Sequence, residues 1–145
     1  MRISTKGRYA MRMMIDLALH REEGYLALGD VAERQNVSKK YLEQIVALFA
    51  KSGLLRANRG SQGGYMLAKD PSQCTVGDIL RVTEGPLSPV ACADPEPAEC
   101  ERSADCPMLP VWQGLADVIN RYLDGITLQD VVDRMGGGED FTYVI

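Results

Sequence analysis

Cys92, Cys100 and Cys106 fall close together in the pattern Cys-x7-Cys-x5-Cys-Pro, with Pro107 after the last. Thiolates are soft donors that suit zinc or iron–sulfur clusters. The paired Cys-x2-Cys of a zinc ribbon is missing. A flexible loop can wrap three thiolates around a cluster and take its fourth ligand from elsewhere. Free thiols or a regulatory disulfide would use the same residues. Cys74 stands apart, just before a helix, and reads as structural. His20, the only histidine, ends the first helix and reads as a surface or capping residue. No phosphate-binding loop, Ser/His/Asp constellation or dinucleotide fingerprint is present, so an enzyme is not expected.

The second chemistry is that of cations facing a polyanion. Lys39, Lys40, Arg56 and Arg59 could neutralise phosphates and make binding salt-dependent. The net charge of −4 hides a division. Residues 1–70 hold 12 Lys/Arg against 7 Asp/Glu, and residues 71–145 hold 4 against 13. A basic half and an acidic half have different partners. No apolar run approaches the roughly 20 residues of a membrane span, and Met1-Arg2-Ile3-Ser4 opens no signal-peptide core. A cytoplasmic protein without a membrane partner is expected.

The elements that must carry these residues follow from periodicity. Tyr9, Met13 and Leu17, with Ala10, Met14 and Ala18, predict a helix over residues 4–20, capped by Ser4 or Thr5. A short helix over 28–35 turns Leu28, Val31 and Ala32 inward. Asn36-Val37-Ser38 is a tight turn, and Ser38 caps a helix running to about Lys51 with Leu42, Ile45, Val46 and Phe49 on one face. This is a helix-turn-helix whose exposed start carries Lys39, Lys40, Tyr41, Glu43 and Gln44. Residues 54–58 and 65–68 read as strands joined by the glycine-rich tip Arg59-Gly60-Ser61-Gln62-Gly63-Gly64, which makes a wing. The helix start could reach base edges in the major groove and an Arg at the wing tip could enter the minor groove.

Thr75-Val76-Gly77-Asp78 predicts a capping box for a helix to about Thr83. Residues 85–110 lose periodicity, hold six prolines and the three clustered cysteines, and read as a long functional loop. Periodicity returns from Val111: Trp112, Leu115, Val118, Ile119, Tyr122 and Leu123 form a stripe on a helix over 108–123. The stripe could be core or a dimer seam; the seam is favoured, since a small domain offers little partner surface to so long a helix. Thr127-Leu128-Gln129-Asp130 caps a last short helix, and Gly136-Gly137-Gly138 opens a mobile acidic tail.

Taken together, several of these segments resemble the Rrf-type winged-helix transcriptional regulators, a family with IscR-like, NsrR-like and CymR-like branches. They are the start Met1 to Ala10, the segment Val37-Ser38-Lys39-Lys40-Tyr41-Leu42-Glu43-Gln44-Ile45, the wing Arg59 to Tyr65, and Trp112…Ile126-Thr127-Leu128. The resemblance implies a homodimer on a palindromic double-stranded DNA operator. It places Ser38, Lys39, Lys40, Tyr41, Glu43 and Gln44 on the DNA-reading helix and Arg59 in the wing. It also implies that Cys92, Cys100 and Cys106 hold an iron–sulfur cluster, [2Fe–2S] or [4Fe–4S]. The fourth ligand departs from the family. Leu109 stands where IscR-like members carry a histidine, and Arg8 where NsrR-like members carry an aspartate. A loop carboxylate, a small thiol or water would have to serve, or the cluster would be smaller. The ending Phe141-Thr142-Tyr143-Val144-Ile145 resembles CymR-like tails.

The expected chain is mainly α with a small β-hairpin wing. Residues 1–84 form the winged helix-turn-helix domain, 85–110 the sensor loop, 111–135 the dimerisation helices and 136–145 a flexible tail. Trp112, Leu115, Val118, Ile119 and Tyr122 form the dimer interface. The expected function is a repressor sensing iron–sulfur status, redox or nitric oxide. The alternative is a cluster-free repressor of cysteine or sulfur metabolism, controlled by thiol oxidation or a partner protein.

Overall fold

Helix α1 spans Thr5–Leu19 because Ser4 caps it: the Gly7 N–H donates to Ser4 Oγ at 3.0 Å. Its apolar stripe of Ala10, Met13, Met14 and Leu17 is buried and forms the axis of the core. The computed structural model describes residues 1–97 and 99–136. The expected tail beyond Gly136 lies outside the described residues.

Helices α2 (Leu28–Gln35) and α3 (Lys39–Ser52) pack on α1 and on each other. The turn between them depends on Asn36, which adopts a left-handed conformation at φ 52° and ψ 49°. Asn tolerates that region better than any bulkier residue. Ser38 then accepts from the Tyr41 N–H at 3.2 Å and starts α3. Leu42, Ile45, Val46 and Phe49 are all buried, each contributing about 1.5–3 kcal/mol by leaving water.

Strands β1 (Leu55–Asn58) and β2 (Gly64–Leu67) pair antiparallel, with Leu55 opposite Leu67 and Asn58 opposite Gly64. Leu26, just before α2, adds a rung that local periodicity did not indicate. It exchanges two backbone hydrogen bonds of 2.9 Å with Tyr65. Gly64 makes this approach possible, since a Cβ there would lie 2.2 Å from the Leu26 carbonyl oxygen.

Helix α4 (Val76–Glu84) carries the expected capping box, with Thr75 and Asp78 bonded reciprocally at 3.0 Å. Helix α6 (Leu128–Gly136) starts with the same device: Thr127 and Asp130 exchange bonds of 2.9 and 3.0 Å. The two capping segments lie side by side. The Val76 N–H donates to the Ile126 carbonyl at 2.9 Å and the Leu128 N–H to the Cys74 carbonyl at 2.7 Å. Between them runs α5 (Leu109–Asp124), joined to α4 by Arg81, whose guanidinium donates to both Asp124 oxygens at 2.8 Å. None of the helices described is long and apolar enough to cross a membrane.

Candidate nucleic-acid interface and cysteine loop

Lys39, Lys40, Glu43 and Gln44 are exposed on the first turns of α3, and Ser38 is exposed at its cap. Tyr41 differs. It is half-buried, and its ring meets Tyr9 edge to face at 5.7 Å. Arg12 sits over Tyr9 at 5.3 Å. It also donates to Gln35 Oε1 at 3.2 Å and to the Gln35 carbonyl at the end of α2. Tyr41 therefore fixes the pitch of α3 against α1, and the polar residues on either side of it face solvent. This buttress of Tyr9, Arg12 and Gln35 escaped the sequence reading. Tyr9 and Tyr41 lie on separate helices, and no spacing rule relates them.

Beneath the buttress, Asp16 is buried to 2% exposure. Arg34 donates to both its oxygens at 2.7–3.1 Å and Gln35 Nε2 adds a bond of 2.9 Å. The hydrogen bonds to Asp16 raise the Arg34 pKa further, so the guanidinium stays charged. A buried carboxylate needs such partners, since an unpaired one is strongly destabilising. His20 caps the end of α1, 2.6 Å from Glu23 and 4.0 Å from Asp16.

The wing tip exposes Arg59 and, on β1, Arg56. Gly60 has φ +126°, and a Cβ on Gly63 would lie 2.2 Å from the Asn58 carbonyl oxygen, so the tip must be glycine-rich to close.

Among the described residues of the cysteine loop, a short helical turn, Ala91–Ala93, holds Cys92 and packs against α5, and a further turn begins at Cys100, whose carbonyl accepts from the Ser103 N–H at 3.1 Å. Ser88 Oγ closes the Ala91–Ala93 turn by bonding to the Val90 carbonyl at 3.2 Å and to Asp94. Cys92 and Cys106 are partly buried, Cys100 is exposed, and all are free thiols. Among the described residues they are not gathered with another acidic, cysteine or histidine side chain into a metal-binding group. Their donor chemistry nevertheless fits an iron–sulfur cluster, because soft thiols are the residues that hold one. Leu109 opens α5 as an apolar residue, and exposed Arg8 donates to Thr5 Oγ1 at 3.1 Å, so neither position offers a ligand. Cys74 is buried, and burial, with the nearby Asp78 charge, pushes its thiol up to about 11. It is an inert core residue, as the sequence indicated.

Among the described residues, α5 buries Ala116 alone. Leu115, Val118 and Tyr122 are exposed at 41%, 57% and 67%, and Val111 at 53% joins them on the same face. Trp112 and Ile119 are half-buried at its edge. The stripe is therefore not spent on the core of one chain.

An exposed, capped second helix beside a glycine-tipped wing defines a winged helix-turn-helix DNA-binding protein. The profile of the Rrf2 family, described as an iron-dependent transcriptional regulator, matches residues 3–134. The chain belongs to the Rrf2 family of transcriptional regulators. It is 40% identical to the transcriptional regulator CymR of Bacillus subtilis over 97% of this chain and 96% of that one. It is 38% identical to the regulator IscR of Serratia proteamaculans, over 92% of this chain and 80% of that one. The solved structure of CymR, the global cysteine regulator of B. subtilis, superposes with a TM-score of 0.76 at 38% identity, covering 92% of this chain and 98% of that one. The chain is a regulator and not an enzyme.

Proposed function

We propose that this regulator is a homodimeric repressor that binds a palindromic operator and senses iron–sulfur status or redox through Cys92, Cys100 and Cys106. The observation that carries the reading is the complete reading head. Lys39, Lys40, Glu43 and Gln44 project from a capped helix start while Arg59 projects from the wing. In a dimer, two such helices enter successive major grooves about 34–36 Å apart. The uncovered face of Val111, Leu115, Val118 and Tyr122 supplies the seam, since an apolar helix face of this kind is stable when a second copy covers it. Residues 1–84 then read DNA, residues 85–110 sense, and residues 111–135 hold the two copies together.

Cys92, Cys100 and Cys106 would hold the cluster as thiolates, with the fourth position filled by a loop carboxylate, a small thiol or water. Bound there, the cluster supplies a group that oxidants or nitric oxide attack. Holding such a group would draw Cys92, Cys100 and Cys106 to one centre, and the reordering of their loop would shift the dimer between binding-competent and incompetent populations.

A second reading is favoured because the three thiols do not form a ready metal-binding group among the described residues, and by the likeness to a cysteine regulator. In it, thiol oxidation or a partner protein controls the same DNA-binding dimer without a metal.

Sedimentation and fluorescence anisotropy test the common part of both. The expected result is a dimer that binds one selected palindromic fragment about 10³-fold or more tighter than random DNA. Equal affinity for all DNA at moderate salt would sink it.

A further inference from the structure

We infer that Asn120 is a positioning residue that couples the Cys92 end of the loop to the DNA-binding domain. The inference rests on the reading of the chain as a DNA-binding regulator with a sensing loop. It adds the route by which loop and reading head communicate.

Asn120 lies on the inner side of α5, one turn from Ala116 and one from Asp124, away from the exposed apolar face. Its amide is shared among three elements. Nδ2 donates to the Leu87 carbonyl at 2.7 Å, at the start of the cysteine loop, and to the Ala116 carbonyl at 2.7 Å. Oδ1 accepts from Arg81 Nη2 on α4 at 2.7 Å. One rigid planar group therefore bonds the loop on one side and the winged domain on the other. A shift of the Leu87 carbonyl must turn that plane or break one of its bonds.

Both ends of this route are tied down. Leu87 is buried at 3% exposure, and the Ser88-to-Asp94 turn carrying Cys92 follows it directly. On the other side, α4 packs against α1 and α3. Its last residue, Glu84, accepts from the Ser4 N–H at 2.9 Å and from Ser4 Oγ at 2.6 Å, over the start of α1. Gly7 leaves room for this, since a Cβ there would lie 2.2 Å from the Glu84 carboxylate. Helix α1 in turn holds Tyr9 against Tyr41 of the reading helix.

The node also has room to change. A groove of about 550 Å³, open to solvent on one side, lies between the loop and the helices, lined by Leu87, Ser88, Ala93 and Pro95 on one side and by Arg81 and Asn120 on the other. The turn next to Cys92 borders this groove, and a movement of the turn that carries the Leu87 carbonyl with it would release that carbonyl from Asn120. Coupling requires an element with two arrangements that both sites bias, and the bonded or released Leu87 carbonyl is such an element.

The test uses the reciprocity of coupling: bound DNA must alter the loop as much as the loop alters DNA binding. The rate of Cys92 alkylation by iodoacetamide is read by peptide mass spectrometry on metal-free protein, with and without a DNA fragment that the protein retards. In the wild type, bound DNA is expected to change the Cys92 rate about fivefold or more. Asn120→Asp keeps an acceptor for Arg81 and loses the donor to Leu87. It should still bind DNA within about tenfold of the wild type, the scale of one lost hydrogen bond, with a Cys92 rate indifferent to DNA. Asn120→Ala should behave alike. A wild-type rate unmoved by bound DNA, or variants that keep the wild-type dependence, would overturn the coupling alone. So would a folded Asn120→Asp protein that binds no DNA, which would make the residue a requirement of DNA binding itself and not a link between loop and reading head. Failure of the wild type to bind any fragment would remove the functional reading and the coupling with it.

Discussion

Arg34 grips Asp16 through both carboxylate oxygens, joining α2 to α1 directly beneath the turn that aims the reading helix. Asp16 is buried and Arg34 keeps about a third of its side chain in water, so the pair is half solvated. Asp16→Ala strands a guanidinium and Gln35 without their acceptor. It should cost about 3 kcal/mol, the lower end of the range for breaking a buried pair, in urea unfolding. A loss under about 1 kcal/mol would show that the pair is as dispensable as an exposed one.

The exposed apolar face of α5 predicts a dimer that one charge can break. Val118 and Tyr122 make no core of their own chain, so Val118→Asp should leave the monomer fold intact and shift sedimentation to one chain. Operator affinity should fall about a hundredfold or more with the loss of bivalency. A variant that stays dimeric would move the seam elsewhere.

Within the reading head, the substitutions should separate by role. Lys40→Ala should weaken binding evenly across DNA sequences and lower the salt slope by about 1. Gln44→Ala should cost about 1–3 kcal/mol on the cognate fragment and relax specificity at one base position. Anisotropy titrations over a range of salt distinguish the two. Equal losses on cognate and random DNA for Gln44→Ala would remove it from base readout.

Arg81 holds Asp124 below the ordinary carboxylate value of 3.8, first through the hydrogen bond and also through its charge. A folded pKa depressed in this way contributes stability that is present above 3.8 and lost as pH falls through the lower, folded value. The α4–α5 joint should therefore hold at neutral pH and loosen in acid. Asp124→Asn should remove that share of the acid dependence, as seen in unfolding curves at pH 3 and pH 6.

Thiol labelling should divide the cysteines. Cys74 is buried and its thiol sits at about 11, so it should resist iodoacetamide at pH 8 while Cys100, exposed, reacts first. Prompt labelling of Cys74 in folded protein would show that the segment before α4, paired with the start of α6, opens readily.

Much of this was legible because it is local. Ser4, Ser38, Thr75 and Thr127 announce helix starts by a hydroxyl three residues before the N–H it caps. Asn36 and the wing glycines mark backbone turns by residue type alone. The apolar stripes of α1, α3 and α5 follow from the helical repeat, and on α5 Leu115, Val118 and Tyr122 of that stripe are exposed. What stayed hidden joins distant residues. Leu26 meets Tyr65, Tyr9 meets Tyr41, Arg81 meets Asn120 and Asp124, and Glu84 returns to Ser4. None of these pairs leaves a periodic trace, because a bidentate arginine or a single bridge needs only one residue on each side. Val111, where the periodicity begins, joins the exposed face of the α5 stripe. The cysteine spacing named a donor set but carries no information about its closure, and the three differ in burial, Cys92 and Cys106 half-buried and Cys100 exposed.

The central claim is that these cysteines hold an iron–sulfur cluster on a DNA-binding dimer. An absorption spectrum with iron and sulfide analysis, on protein purified and reconstituted without oxygen, tests it most directly. The expected result is broad visible absorption with matching iron and sulfide, abolished in Cys100→Ser. Colourless, iron-free protein after reconstitution, or full iron in Cys100→Ser, would contradict it and leave thiol or partner control of the same dimer.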